Sequence, residues 1–283
     1  MQNWKLTLAY DGTAFHGWQI QPGLPTIQGE LQSALHRILG SGGNAPEPAP
    51  LPQGSGRTDT GVHALGQVAS FTLAAPIPPE NLARALNRTL PAAIRVLESR
   101  IVPEAFHARH SALAKTYEYR IFRGSLCSPF LAPYVHASRW PLDLDELHRA
   151  ARDVVGEHDF ISLAASDPEL TERGDDEDSP VRSTIRRIFS SEWQELPGDL
   201  LVYRVRGSGF LHHMVRNLVG TMLEIARGQF PAGSMPAILD ARSRSAAGPT
   251  APAKGLFLHS VEYPELPDDP IWPDPARSGL IQC

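Results

Sequence analysis

Asp59 is the residue in this chain whose type and setting best suit covalent chemistry. It lies in the run Gly54-Ser55-Gly56-Arg57-Thr58-Asp59-Thr60-Gly61-Val62-His63-Ala64, which puts three glycines, one arginine and one carboxylate within eleven residues. Glycines let the backbone take φ > 0 and come close to a ligand. A carboxylate held on such a loop, with an arginine two residues away, can serve as nucleophile or general base. A polar turn before a strand is the plainer reading of the same glycines.

A loop of this kind needs rigid elements around it, and the chain supplies them. Trp4 to Tyr10 alternates with period two, Leu6, Leu8 and Tyr10 on one face, and reads as a half-buried strand ended by Asp11-Gly12. Phe15-His16-Gly17-Trp18-Gln19 follows. Its aromatics can stack on bases or, more commonly, pack beneath a loop. Thr26 can cap a helix to about Leu39, with Ile27, Leu31, Leu35 and Ile38 in one stripe. Residues 40–53 are rich in Gly, Pro and Ala and read as a flexible loop. The strand after the Asp59 loop is Gln67 to Leu73. A helix from Pro78-Pro79 to Leu90 and a strand from Ala93 to Val102 follow.

Thr116 to Phe122 alternates again, Tyr117, Tyr119 and Ile121 sharing a face. Residues 143–155 form a helix with Asp143 and Glu146 at capping-box spacing, Leu142 and Leu147 as a staple, and Gly156 beyond its end. Residues 164–183 are polar and acidic and read as a surface loop. Strands at Thr184–Phe189 and Leu200–Arg206 precede a helix in which Leu211, Val215, Leu218, Met222 and Ile225 share one face. His212 and Arg216, four apart, would lie together there. On a helix the adjacent His212 and His213 would diverge, so they do not read as a metal pair. Ser234 to Arg242 reads as a short helix and Leu256 to Tyr263 as the last strand. The order suggests an α+β fold of two α/β halves, each a sheet with helices on one face, and a cleft between them.

The chain has 283 residues, 42% hydrophobic and 20% charged, the make-up of a globular protein. No apolar run is long enough to cross a bilayer, and Met1 to Leu6 lacks the character of a signal peptide; the expected location is the cytoplasm. Cys127 and Cys283 are too few and too distant for a disulfide scaffold or a thiolate zinc site. A net charge of −5 argues against non-specific coating of nucleic acid but leaves room for a local basic groove. Arg182, Arg186, Arg187, Arg204, Arg206, Arg216 and Arg227 crowd the second half, behind the acidic run Asp175 to Asp178. They can form either an RNA-facing surface or a solvated face.

Gly56-Arg57-Thr58-Asp59-Thr60-Gly61-Val62-His63-Ala64 resembles the signature of the TruA family of tRNA pseudouridine synthases. Tyr10-Asp11-Gly12 with Phe15 to Gln19, Phe106-His107-Ala108-Arg109 with Ser111-Ala112, Tyr117-Glu118-Tyr119, Gly156 to Phe160, Phe210 to Asn217 and Gly255 to Leu258 are similar to further family segments, in the same order. The resemblance implies two ferredoxin- or RRM-like α/β subdomains, here 1–113 and 114–283, whose sheets join around a central cleft. It also implies a homodimer that needs no cofactor or metal and isomerises uridines 38, 39 and 40 of the tRNA anticodon stem–loop.

By the same resemblance Asp59 matches the catalytic aspartate and Arg216 the arginine that pairs with it. Tyr117 matches the tyrosine that stacks on the target uracil, Leu256 the apolar residue on the base's other side, and Arg57 the motif arginine that helps hold the nucleotide out of the RNA stack. An arginine partner would neutralise a carboxylate in a pocket that excludes water. The target uridine must be flipped out of the RNA, with arginine–phosphate contacts reading shape. Residues 41–53 and 164–183 depart from the family pattern and would lie near the tRNA surface. A related synthase for other uridines, a non-catalytic RNA-binding protein and an aspartate-nucleophile hydrolase are the competing readings. The last would bring a metal cluster or second carboxylate to the motif, and the sequence displays neither there.

Overall fold

The computed structural model describes residues 1–40, 50–74, 77–165 and 183–265. Most of the 40–53 loop, most of the acidic 164–183 segment with Arg182, and the tail lie outside the described residues. In chain order the main elements are β1 (Gln2–Tyr10), α1 (Ile27–Gly40), β2 (Gln53–Gly54), β3 (His63–Leu73), α2 (Pro79–Thr89), β4 (Ile94–Val102), β5 (Ala114–Phe122), β6 (His136–Ala137), α3 (Leu144–Asp153), β7 (Gly156–Asp159), β8 (Ile185–Leu196), β9 (Leu200–Gly207), α4 (Met214–Ala226), α5 (Met235–Asp240) and β10 (Leu256–Glu262). The fold is α+β, with five α-helices and one ten-stranded sheet among the described residues.

The period-two pattern of β1 is realised: Trp4, Leu6, Leu8 and Tyr10 are buried and the residues between them less so. They share one continuous core with Leu31 and Leu35 of α1, Leu82 and Leu86 of α2, Leu147 of α3, and Leu218 and Met222 of α4. Proline opens α2. Asp143 caps α3 by accepting from the amides of Asp145 and Glu146, but Glu146 does not close a capping box; its carboxylate accepts from Gly233 N instead.

The main path of the sheet runs β4-β1-β3-β10-β5-β9-β8-β7, with β2 beside β3 and β6 beside β5. The last strand therefore lies in the middle. β10 pairs parallel to β3 through Phe257–His63 and Leu258–Ala64, and antiparallel to β5 through Leu256–Tyr119 and Leu258–Tyr117. Strand pairing in a sequence pattern is not visible, so this insertion was not expected. It joins the segment after the Asp59 loop to the segment carrying Leu256.

Two expectations need correction. β8 runs to Leu196 rather than Phe189, because a register shift between Ile188 and Ser190 lets the strand continue past the polar serines. The helix after β9 starts at Met214, so Leu211, His212 and His213 precede it; His213 sits at its N-cap with φ 58°, in the left-handed region.

Leu258 is fully buried between Ala64 of β3 and Tyr117 of β5. Leu258→Ala is expected to cost about 2–5 kcal/mol of unfolding free energy in urea. Leu97→Ala, at a site half exposed on β4, is expected to stay within about 0.5 kcal/mol. Equal costs for the two would contradict the junction's place in the core.

Candidate active site

Asp59 occupies the first position of a tight turn. Val62 N donates to Asp59 O at 3.1 Å, and Gly61 takes φ 77° at the third position, where a side chain would be strained. The loop rests on the segment after β1. Trp18 N donates to Thr58 O at 3.0 Å and Gly61 N to Phe15 O at 3.3 Å. A Cβ on Gly17 would fall 2.5 Å from Thr58 O, so only glycine allows this approach. Phe15 and Trp18 are buried; the aromatic segment packs beneath the loop.

Below the loop, Tyr10 Oη meets Thr58 Oγ1 at 2.9 Å. Gln67 Nε2 donates to Gly56 O at 2.9 Å, and Gln67 Oε1 accepts from Ser55 Oγ at 2.7 Å. Burial pushes the Tyr10 phenol up to about 12, so it remains a neutral donor. His63 is buried and stacks on Phe257 with centroids 4.7 Å apart. Gly12 N donates to its Nδ1 at 3.1 Å, so Nε2–H is the group that donates to Pro133 O at 3.2 Å. The neutral ring therefore meets Asp11 Oδ1, 3.2 Å from Nδ1, without forming an ion pair. Burial holds His63 below the ordinary histidine value, against the pull of Asp11.

The sequence-predicted pair meets directly. Arg216 Nη1 donates to Asp59 Oδ2 at 2.7 Å, with both side chains largely buried. Arg216 Nε donates to Ala251 O at 2.8 Å, and Ala251 N to Arg216 O at 3.1 Å, so the guanidinium is gripped from the other side. In α4 the next residue, Asn217, donates to Leu163 O at 2.8 Å and accepts from Thr250 Oγ1 at 2.6 Å. These bonds anchor the turn that carries Arg216.

Tyr117 and Leu256 stand on neighbouring strands. Leu256 and Leu258 share a face of β10, and Leu258 is opposite Tyr117, so all three side chains project from one side of the sheet. Tyr117 is buried with its ring edge-on to Phe210, centroids 5.0 Å apart. Burial first, then Tyr10 and Asp59, push its phenol above the ordinary tyrosine value. Arg57 is exposed on the loop; of the five residues it alone is neither buried with the others nor aligned with them.

Three neighbours of the site were not read from the sequence as contacts of the Asp59 loop. His212 Nε2 lies 3.8 Å from Asp59 Oδ1 and His213 Nε2 lies 3.3 Å from Asp59 Oδ2. The left-handed His213 backbone brings their rings together, centroids 3.9 Å apart, where a helix would have parted them. Burial holds His213 below the ordinary histidine value; Asp59 opposes this, and His212, Arg216 and Arg244 add to it. Lys115 is two residues before Tyr117 on β5, so period two alone could have placed it on the site's face. Its Nζ donates to Ser55 O at 2.6 Å. Burial, then Arg109 and Arg186, bring it down to about 8.

The arginines of the second half divide. Arg204 pairs with Glu118, Arg206 with Glu262, Arg216 with Asp59 and Arg227 with Glu224. Four of the seven thus answer carboxylates of the chain itself; of the others that are described, Arg187 is exposed and Arg186 lies near enough to Lys115 to lower its pKa. A concavity of about 410 Å³ lined by His158, Asp159, Leu239, Asp240 and Arg242 shares no residue with this cluster.

A carboxylate clamped by an arginine, on a loop that faces a buried tyrosine and an apolar strand, suits a catalyst that handles a planar uncharged ring. Residues 7–111 and 150–264 match the family model described as tRNA pseudouridine synthase. The chain belongs to this family: it is an enzyme that isomerises uridine in tRNA. It is 52% identical over 264 residues to the tRNA pseudouridine synthase A of Solibacter usitatus (strain Ellin6076), covering 93% of this chain and 100% of that protein. It is 44% identical to that of Moorella thermoacetica (strain ATCC 39073 / JCM 9320) over 261 residues, 92% of this chain and 98% of that protein. With that of Bacillus pumilus (strain SAFR-032) the identity is 42% over 259 residues, again 92% and 98%. The hydrolase and non-catalytic readings fall away.

Lys115 gives a pH signature. Folded, it releases its proton near pH 8; unfolded, it keeps it to about 10.5. Between these values the unfolded chain holds the extra proton, so stability from this group rises with pH. Unfolding free energy of the unaltered chain minus that of Lys115→Met should therefore grow from about pH 7.5 to about pH 10. A flat difference would contradict the burial of a charge at Lys115.

Proposed function

We propose that the chain isomerises uridines 38, 39 and 40 of the tRNA anticodon stem–loop, with Asp59 as catalytic nucleophile or base. The observation that carries the chemistry is the 2.7 Å pair between Arg216 and Asp59. The choice of uridines is carried by the family motifs and by relatives named tRNA pseudouridine synthase A.

The reaction breaks the N1–C1′ bond, turns the uracil and rejoins it through C5. A base inside the RNA stack must first be flipped out. Asp59 then either adds covalently to base or sugar, or takes the C2′ proton to give a glycal. Arg216 fixes the carboxylate's direction and balances its charge. While detached, the uracil needs walls rather than charges. Tyr117, kept as a neutral phenol by burial, and Leu256 supply a stacking face and an apolar face. Arg57, exposed at the loop's rim, fills the space the nucleotide leaves. Lys115, with Arg109 and Arg186 near enough to depress its pKa, offers charge to a phosphate, which would hold the lysine's proton more firmly.

We read the chain as two ferredoxin-like subdomains, 1–113 and 114–283, that bring Asp59 and Arg216 from opposite sides. The reading is supported by the continuous sheet across β3 and β10. A homodimer acting in the cytoplasm on one tRNA at a time completes it. No helix among the described residues is long and apolar enough to cross a membrane.

Pseudouridine mapping in tRNA from cells deleted for this chain tests the assignment. Loss at 38, 39 and 40, restored by the intact chain, is expected. Unchanged pseudouridine at these positions, or loss only elsewhere, would contradict it.

A further inference from the structure

His212, His213 and Asp59 bring three metal-ligating side chains together, and one donor atom from each lies within 4.8 Å of the others. The sequence hides this, because adjacent helical histidines diverge. The left-handed His213 removes that objection: both Nε2 atoms reach the same carboxylate, at 3.8 and 3.3 Å. Arg216 takes Oδ2, which leaves Oδ1 for a cation.

Two imidazoles and one carboxylate form the donor set of Zn²⁺ and of its stand-in Co²⁺, with a fourth position open. Mg²⁺ and Ca²⁺ prefer oxygen donors. Tetrahedral zinc with bonds of about 2.0–2.2 Å sets its ligand atoms roughly 3.3 Å apart. His212 Nε2, 3.8 Å from Oδ1, has to close by about half an ångström, and His213 Nε2, whose 3.3 Å contact is with Oδ2, has to turn toward Oδ1. Arg216 on the other carboxylate oxygen repels the cation, so the site is weaker than a structural zinc site and opens to chelators.

We propose that this cluster is an inhibitory zinc site: Zn²⁺ held by His212 Nε2, His213 Nε2 and Asp59 Oδ1 occupies the carboxylate and bars the flipped uridine from it. The cation acts as a reversible regulator and takes no part in turnover. The site itself depends only on the three side chains; the inhibition rests on the proposed role of Asp59.

Co²⁺ is titrated into the full chain, free of any histidine tag and stripped by chelator, and its visible absorption is followed. Zn²⁺ is then added, and pseudouridine formation is assayed in parallel. One Co²⁺ per chain with an intense four-coordinate band, displaced by Zn²⁺, is expected, with loss of turnover in Zn²⁺ and recovery in chelator. His213→Asn, which tolerates the left-handed backbone, and His212→Ala should each weaken Co²⁺ binding at least about tenfold, no less than the loss of an outer-shell partner does. Circular dichroism of both variants distinguishes a lost ligand from a lost fold. Absence of the band in the unaltered chain, or equal affinity in both folded variants, overturns the site. Co²⁺ bound through the histidines, with full turnover in Zn²⁺, supports the site and overturns the role given to Asp59.

Discussion

A carboxylate and a guanidinium 157 residues apart meet at 2.7 Å, and most of the architecture can be read as the means of holding them there. Asp59 comes from a turn just before β3. Arg216 comes from the first turn of α4 and is tied to Ala251 on the approach to β10. β10 then pairs with β3, so the two partners enter from the two sides of one strand junction. Removing either charge would leave the other stranded in a half-dry site, the arrangement in which a pair's loss costs most.

The same constraint explains the unusual neighbours. The glycine at position 17 lets the backbone under the loop close to contact distance, and Tyr10, Gln67 and Lys115 then bond the loop from below and behind. Lys115 is held although burial disfavours its charge. A charge kept at that disadvantage next to two arginines suits the phosphate contact proposed for it, and its cost falls on the free protein.

Local pattern carried far in this sequence. The alternation of β1, the proline opening of α2, the Asp143 cap and the Asp59 turn were all legible because each depends on neighbours in the chain. The Asp59–Arg216 pair was legible only through family resemblance, since nothing local links the two residues. The centre of the sheet was not legible: β10 pairs by register across the fold, and period two does not name a partner. Nor was the histidine pair, because the helical period of Leu211, Val215 and Leu218 extends three residues too far back, past a left-handed His213 that the pattern does not encode. The arginines stayed ambiguous for a similar reason. Charge counts do not show which of them face Glu118, Glu224 or Glu262.

The most direct measurement is single-turnover pseudouridine formation by Asp59→Asn, with tRNA affinity measured on the same protein. The amide keeps the size of the side chain and an oxygen for Arg216 but loses the carboxylate's negative charge, and with it its basicity and nucleophilicity. The account predicts that pseudouridine formation disappears while tRNA binding persists. Product formed at the unaltered rate would contradict it.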